Sequence, residues 1–327
     1  MAWTDKTIKD MPFTKLIIAG STGYVADHAI HAILASTDPI FDVTILTRAD
    51  TGKTPPHVRR ARVIPINYKD HHALVRAVSG ADAILSFVSG GACKEVDLLL
   101  LKAAQEAGVR RIFPSEYTLD VLHPKALSLL TEGGYWPEDV SPVIVARKFS
   151  ALADQGGPTS FTTLIPSAFL DGWLKGNFGL IDLKNLKITA VDSGDHYFSG
   201  CSLPFLAAAI VAVLRMDEEK TKNKRIHITE MRATMNQIAD TFEEVTGARL
   251  ERNQVASQEL IDLRNANLRT GNHFAALFAT IQLAAFNGSG ASDLKDGLEF
   301  DGDGFLNLRR KTLKELCVEA VKNAKSV

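Results

Sequence analysis

The first half of the chain alternates short runs of β-forming residues with amphipathic segments. Such an alternation predicts βαβ units and therefore a parallel sheet. The predicted strands are Lys15–Ala19, Val43–Leu46, Arg62–Ile66, Ala83–Val88, Arg111–Phe113 and Phe161–Ile165. The predicted helices are Gly23–Leu34, His71–Val78, Val96–Glu106 and Val143–Asp154. Gly108 should end the third helix, because glycine commonly follows the last helical residue.

After about residue 168 the regular alternation fades. Helices are still predicted over Leu203–Met216, Met235–Thr246, Leu260–Leu268, Phe274–Phe286 and Thr312–Asn323. Thr234 and Gly247 have the residue types of an N-cap and a helix stop around the second of these. Loops are expected over residues 118–142 and over the glycine- and aspartate-rich stretch 287–304.

These elements predict an α/β protein with a Rossmann-type doubly wound parallel sheet. We expect the nucleotide-binding domain to span residues 1–165. We expect residues 166–327 to form a smaller, mainly helical region with a sheet extension, which shapes the substrate pocket.

Composition narrows the class of partner. The 327 residues are 46% hydrophobic and 23% charged with a net charge of −1, so no overall field attracts nucleic acid or anionic lipid. The three cysteines are far apart and match neither metal-ligand nor disulfide spacing. The polar N-terminus does not resemble a secretory signal, and the longest apolar run has 12 residues, too few for a bilayer. We expect a cytoplasmic monomer or homodimer that binds a small molecule.

The first strand leads directly into a glycine-containing turn and then into a helix. The turn is Gly20–Ser21–Thr22–Gly23–Tyr24–Val25, followed by Ala26. The unpaired N–H groups and the dipole of a helix N-terminus attract phosphate. Gly20 would permit the tight turn, Gly23 the approach of a pyrophosphate, and Ala26 the packing of helix on sheet. The context of a first β–α junction favours a dinucleotide site.

The end of the second strand distinguishes the two nicotinamide dinucleotides. NAD sites usually place an acidic residue there, which binds the ribose 2′-hydroxyl. This chain has Arg48 instead, with Lys53 nearby and Asp50 as a competing acidic candidate. Guanidinium pairs well with a 2′-phosphate, so the sequence predicts NADP(H) as the cofactor.

Further cofactor contacts are expected at the carboxyl ends of later strands. Ser86, Phe87 and Val88 end the fourth predicted strand, and Ser167 and Phe169 follow the sixth. Asp70 could meet the adenine or simply cap a helix.

The catalytic pair of many short-chain reductases, a tyrosine and a lysine four residues apart, is absent at all five tyrosines. The glycine turn, the basic end of strand two and the Phe113–Pro114–Ser115–Glu116 element nevertheless resemble the NmrA-like, isoflavone-reductase-like branch of the atypical short-chain reductases. The resemblance covers about residues 15–250. It implies NADP(H), a Rossmann fold and a single active-site lysine near the nicotinamide, at the position of Lys148.

Lys148 also has a physical case as a catalytic residue. Hydride addition to a carbonyl, an imine or an activated carbon leaves charge that a proton donor must meet, and a lysine can supply that proton. Anchoring of the nicotinamide ribose is the alternative role. The spacing from Lys148 to the next strand differs by about one residue from the plant pattern, so the adjacent Arg147 is the alternative assignment.

Other candidates flank the expected cleft. Glu116 could act as a site acid, hold Lys148, or cap a turn. Substrate contacts are predicted for four aromatic residues: Tyr117, Trp136, Trp173 and Phe178. The histidines lack converging carboxylates or cysteines, so no metal site is expected.

Three functions fit these features. The leading one is an NADPH-dependent reductase of a small aromatic or polycyclic secondary metabolite. The second is a non-redox isomerase that retains NADP while it opens and rearranges an epoxide. The third, which the resemblance also implies, is a non-catalytic regulator that senses a dinucleotide.

Overall fold

Most of the chain is described by the computed structural model, which covers residues 13–49, 60–88, 91–135, 139–174, 180–294, 306 and 308–324. The strands in chain order are β1 (Lys15–Ala19), β2 (Asp42–Arg48), β3 (Arg62–Ile66), β4 (Ala83–Ser86), β5 (Arg111–Phe113), β6 (Ser160–Ile165), β7 (Ala168–Phe169), β8 (Ile181–Asp182), β9 (Lys187–Val191), β10 (Phe198–Cys201), β11 (Lys224–His227), β12 (Met231–Ala233) and β13 (Glu251–Val255).

The helices in chain order are α1 (Tyr24–Ala35), α2 (His71–Val78), α3 (Ala92–Ala107), α4 (Pro124–Glu132), α5 (Ser141–Ser150), α6 (Leu152–Gln155), α7 (Leu170–Trp173), α8 (Leu203–Arg215), α9 (Glu218–Thr221), α10 (Met235–Thr246), α11 (Ser257–Arg269), α12 (His273–Phe286) and α13 (Leu313–Ala324). The bounds of β1, β3, β5, α2 and α10 coincide with the predicted ones.

These elements form two compact units. Unit 1 is drawn from Met1–Tyr117, Ser141–Leu164 and Leu206–Ile226, and unit 2 from Thr118–Val140, Ile165–Phe205 and His227–Val327. The predicted split at residue 165 lies at one of the crossings between the units, but it assigns residues 118–140 and 206–226 to the other unit. The chain passes between the two units several times, whereas the predicted division has a single boundary.

Unit 1 is built on a seven-stranded sheet in the order β11-β6-β5-β4-β1-β2-β3. The neighbours from β3 to β6 pair in parallel. All four residues of β4 are buried, as are the last four of β1, which fits strands covered on both faces. The Rossmann-type doubly wound sheet predicted from the alternation is confirmed.

Helices cover this sheet and share its core. Leu74 and Val78 of α2, Leu100 of α3 and Val145 and Phe149 of α5 belong to one buried apolar cluster with residues of the central strands. Gly108 ends α3 in the left-handed conformation, as predicted. Asp70 caps α2, because its Oδ1 accepts the Ala73 N–H at 3.0 Å.

Unit 2 combines helices with two small sheets, in the orders β12-β10-β7 and β13-β9-β8. Its core contains Phe198, Ile238, Phe242, Leu283 and Phe286. The Thr234 cap and the Gly247 stop of α10 are both confirmed. The short strands escaped prediction because two to five residues carry too little alternation to be recognised.

The loop predicted over residues 118–142 is wrong in part, because it contains α4. Ala126 and Leu129 of this helix are buried in the core of unit 2. The buried side chain of Arg264 donates to the carbonyl oxygens of Leu129 and Glu132, which the end of a helix leaves without partners. Packing and capping by a distant residue stabilise a helix that is short for one formed by local sequence alone.

Among the described residues, no helix is both long enough and apolar enough to cross a membrane.

Candidate functional site

The turn between β1 and α1 lies tightly against the end of β4. Gly20 has a φ of +80°, and a Cβ on it would lie 2.9 Å from the carbonyl carbon of Phe87 and from the amide nitrogen of Val88. The Phe87 N–H donates to the carbonyl oxygen of Ala19 at 2.7 Å. A side chain at position 20 would push the strand ends apart, so this turn requires glycine.

The N-terminus of α1 begins at this turn without a side-chain cap. Gly23 occupies the N-cap position and makes no side-chain hydrogen bond. The first N–H groups of a helix have no partners inside it, and they favour an anion. A Cβ at Gly23 would make only an ordinary contact among the described residues, 3.8 Å from the Phe87 oxygen. Ala26, in the first turn of α1, is fully buried, which fits the small side chain expected there. The other side chains of the turn are half-buried or exposed: Ser21, Thr22, Tyr24 and Val25.

The strand order places this turn at a switch point of the sheet. β1 lies between β4 and β2, so the strand order reverses direction between β1 and β4. Ligands of open α/β sheets bind outside the carboxyl ends of the strands at such a point. Gly20 follows β1 and Val88 follows β4 at this edge.

The exposed residue Arg48 ends β2 at the same edge. Tyr68, which follows β3, donates its hydroxyl to the carbonyl oxygen of Leu46 at 3.2 Å. Burial and the charge of Asp97 raise the pKa of Tyr68, while Arg48 opposes the rise. The phenol therefore stays neutral and supports the end of β2. Asp50 and Lys53 lie outside the described residues.

A buried carboxyl lies beneath the ends of β4 and β5. Asp97 of α3 is fully buried, and its Oδ2 accepts the Ser115 N–H at 2.9 Å. Burial raises the pKa of Asp97 to about 7; Ser86 and the Ser115 N–H lower it, and the charge of Glu116 raises it. Among the described residues, Ser86 Oγ and Asp97 Oδ1 have no hydrogen-bond partner. Ser86 nevertheless lies close enough to Asp97 to lower the pKa of its carboxyl.

The predicted contact residues at the end of β4 differ in exposure. Ser86 is fully buried and Phe87 nearly so, whereas Val88 is half-buried. Tyr117 stacks on Phe87 with ring centroids 5.3 Å apart. The Tyr117 hydroxyl is buried without a hydrogen-bond partner among the described residues. Burial and the charge of Asp97 raise its pKa.

Glu116 has both carboxylate oxygens engaged. Oε2 accepts from Arg225 of β11 at 2.5 Å and Oε1 accepts from the Thr163 hydroxyl at 3.3 Å. Its side chain is almost fully buried while that of Arg225 is partly exposed. This geometry favours the structural alternative over a site acid, although the catalytic role itself stays a prediction.

Lys148 lies on the exposed side of α5, and so does Arg147. Successive residues of a helix are about 100° apart, so the two cations flank that side from opposite edges. Neither makes a hydrogen bond or ion pair with another described residue. Exposure alone does not decide between them.

The remaining predicted contacts belong to unit 2 or lie outside the described residues. Ser167 has a φ of +58°, and its Oγ lies 2.5 Å from Ser292 Oγ. Phe169 ends β7. Trp173 is buried and meets Phe286 edge-on at 4.7 Å, so packing accounts for its position. The cofactor-contacting roles of Ser167 and Phe169 and the substrate-contacting role of Trp173 stay predictions. Trp136 and Phe178 lie outside the described residues.

Sequence reasoning missed Asp97 and Arg225. A signal for Asp97 was present, because it is an acidic residue directly before the apolar run Leu98–Leu101 inside a helix. A charge at that place predicts either a solvent-facing position or a buried polar contact. No comparable signal exists for Arg225, whose partner is 109 residues away.

Gly20→Ala should lower the free energy of unfolding by clearly more than Gly80→Ala. Gly80 is the matched control, because its φ of +76° is similar but nothing lies within 4 Å of its Cβ position. The control isolates the left-handed backbone cost of about 1–2 kcal/mol. Urea unfolding of both variants measures the difference. Equal losses would contradict the close approach of the β4 end.

Asp97→Asn should change how stability depends on pH. The native pKa of about 7 is higher than the usual aspartate value near 4. The stabilisation by this group is therefore complete below pH ~4 and is lost as the pH rises through about 7. Asparagine keeps an acceptor for the Ser115 N–H and does not ionise. The variant should therefore unfold at higher urea concentration than the wild type at pH ~8.

Asp82→Asn is the control with the opposite sign. Burial raises the pKa of Asp82, but hydrogen bonds from the N–H groups of Lys15 and Thr14 and from Arg110 bring it below its usual value. Its carboxylate therefore stabilises the fold above pH ~4, and the variant should lose stability at pH ~8. The same sign for both variants would contradict the assignment.

Comparison with known proteins shows what this chain is similar to. Residues 13–128 match the model of the NmrA-like family. Bifunctional pinoresinol-lariciresinol reductase 1 of Linum usitatissimum is 26% identical over 265 residues, which cover 76% of this chain and 80% of the relative. Oxidoreductase aprR of Aspergillus flavus is 27% identical over 234 residues, 71% of this chain and 74% of the relative. Isoflavone reductase of Medicago sativa is 24% identical over 296 residues, 82% and 87% of the two chains.

Solved structures share the fold over most of the chain. "AtPrR2 with NADP+ and (+)pinoresinol" has a TM-score of 0.72 and 18% identity, and the match covers 94% of this chain and 99% of the other. The binary complex of leucoanthocyanidin reductase with NADPH from Vitis vinifera has a TM-score of 0.68 and 17% identity, with the same coverage. The chain is therefore similar to the NmrA-like family over residues 13–128, and it shares the fold of these solved structures over most of its length.

Proposed function

We propose that this protein is an NADPH-dependent reductase of a small aromatic metabolite. The observation that carries the proposal is the Gly20–Gly23 turn at the switch point of the sheet, together with the exposed Arg48 at the end of the neighbouring strand.

The turn fits the pyrophosphate of a dinucleotide. The uncapped N-terminus of α1 offers unpaired N–H groups and the positive end of a helix dipole. The described atoms of the protein leave room for a Cβ at Gly23. The absence of a side chain there therefore serves a ligand, whereas glycine at position 20 serves the fold.

Arg48 favours the phosphorylated dinucleotide. It is exposed at the carboxyl end of β2, where NAD sites place an acidic residue. A guanidinium forms charge-assisted hydrogen bonds with a 2′-phosphate and has no acceptor for a 2′-hydroxyl. Two structural neighbours are complexes with NADP+ and NADPH, which supports the same choice.

NADPH, when bound, supplies the hydride. The protein must then supply a proton and hold the reacting groups in line. Lys148 is the proton donor in this proposal. It lies on a helix that packs against the unit 1 core through Val145 and Phe149, so its backbone is firmly held while its side chain stays exposed.

The names of the relatives support an aromatic substrate. Their names specify pinoresinol, lariciresinol and isoflavone, all of which are aromatic compounds. An aromatic substrate is therefore proposed here, without a choice among them.

Arg48→Ala should weaken NADPH binding about tenfold or more and leave NADH binding nearly unchanged. The lost charge-assisted bond to the 2′-phosphate is worth about 1.5–3 kcal/mol. Calorimetric titration measures both affinities. Arg76→Ala, which removes an exposed cation from α2, is the control and should change neither affinity. A wild-type chain that binds neither dinucleotide would contradict the proposed function.

Lys148→Ala should leave NADPH affinity within a few-fold of the wild type and lower turnover by about 10²–10⁴-fold, the usual contribution of a positioned acid. Arg147→Ala is the matched control on the same exposed side of α5 and should retain turnover. Absorbance of the reduced nicotinamide, followed with aromatic carbonyl and benzylic ether substrates, measures the rate. Turnover without NADPH oxidation would favour the isomerase instead, and binding without turnover would favour the regulator.

A further inference from the structure

A hydrogen-bonded path joins helix α3 to the end of β4 by way of the residue two positions after β5. Asp97 Oδ2 accepts the backbone N–H of Ser115 at 2.9 Å. The Ser115 hydroxyl in turn donates to the carbonyl oxygen of Val88 at 2.5 Å. A single serine therefore connects a buried carboxyl to the backbone at the carboxyl end of β4.

The same stretch of β4 is the wall against which the glycine turn rests. The nearest atoms to a Cβ at Gly20 would be backbone atoms of Phe87 and Val88. The Phe87 N–H donates a hydrogen bond to the carbonyl oxygen of Ala19. A shift of Val88 therefore moves the surface that fixes the turn. The path from Asp97 therefore reaches, through two hydrogen bonds, the strand end that leaves no room for a Cβ at Gly20.

We propose that Asp97 is a positioning residue of the dinucleotide site, which acts through Ser115 to hold the end of β4 against the turn at Gly20. This inference rests on the proposed function for its ligand. The hydrogen-bond path itself is independent of that function.

The cost of burying this carboxyl supports a specific role. Asp97 is fully buried, and its Oδ1 and the Ser86 hydroxyl have no hydrogen-bond partners among the described residues. A buried polar group without a hydrogen-bond partner destabilises the folded state. The residues after it, Leu100 and Leu101, are apolar and pack in the core without that cost. The acceptor for Ser115 is what a leucine at position 97 would lack.

No cation offsets this cost among the groups coupled to Asp97. The titratable groups that act on it or feel its charge are Cys93 on the same helix, Tyr68 after β3, and Glu116 and Tyr117 after β5. Each of them is neutral or negative. The ionised form is therefore stabilised by neutral neighbours, Ser86 and the Ser115 N–H that Asp97 accepts at 2.9 Å.

A double-mutant cycle on NADPH affinity tests the proposal. Asp97→Leu and Ser115→Ala should each weaken NADPH binding about three- to tenfold at pH ~8, the range expected for one hydrogen bond. The double variant should bind no more weakly than Asp97→Leu alone, because both changes break one path. Asp97→Asn keeps the acceptor and should bind within about twofold of the wild type. Additive losses, or an Asn variant as weak as the Leu variant, would overturn the proposal.

Amide hydrogen exchange gives a readout without any ligand. Release of the β4 end should speed exchange of the Phe87 N–H, which donates to Ala19, in Asp97→Leu and in Ser115→Ala. Ser79→Ala is the control, since it removes a similar hydroxyl bond, to the Val75 carbonyl at 2.7 Å, and should leave Phe87 unchanged. An unchanged exchange rate of the Phe87 N–H in Ser115→Ala would overturn the proposal, whatever the NADPH affinity of that variant. Altered exchange in a chain whose wild type binds no dinucleotide leaves the path intact and removes the proposed function. If Asp97→Leu does not fold, Ser115→Ala and Asp97→Asn decide the question.

Discussion

The backbone of Gly20 approaches the end of β4 so closely that a methyl group between them would lie 2.9 Å from three backbone atoms. This contact brings together the two strand ends at which the sheet order reverses. It leaves the first turn of α1 open at its N-terminus, with Gly23 as a cap that has no side chain. The anion-attracting character of the site is thus a consequence of backbone packing, and the side chains around it only adjust which anion fits.

Two fully buried charged residues, Arg111 and Asp97, form hydrogen bonds around the parallel sheet. Arg111 is fully buried, and its guanidinium donates to the hydroxyls of Ser160, Thr162 and Thr221. Such satisfied networks fix strand ends without leaving polar atoms exposed to an apolar environment. Asp97 differs, because one of its oxygens stays without a partner among the described residues and its pKa is raised to about 7. Polar groups that are imperfectly satisfied are the ones for which a role other than stability is worth testing.

Similarity of shape to solved reductases extends further than identity of sequence. The match to solved reductases covers 94% of the chain at a TM-score of 0.72, yet only 18% of the residues are identical. Likeness at that level establishes the architecture, whereas the chemistry depends on individual side chains. The proposed function assigns the choice of cofactor to Arg48 and proton transfer to Lys148. The core position of Trp173 illustrates the difference, since an aromatic residue that suggested a pocket wall packs against Phe286.

The sequence by itself determined the parallel sheet, the helices that cover it and the glycine turn at its first junction. These features depend on local period, on helix caps such as Thr234 and on the backbone freedom of Gly20, all of which are written in neighbouring residues. The tertiary structure alone decided what distant residues do to one another. Helix α4 depends on a cap from Arg264, 132 positions away, and Asp97 accepts a hydrogen bond from Ser115, 18 positions away. Local patterns record which faces are apolar, but they do not record which buried polar group meets which partner.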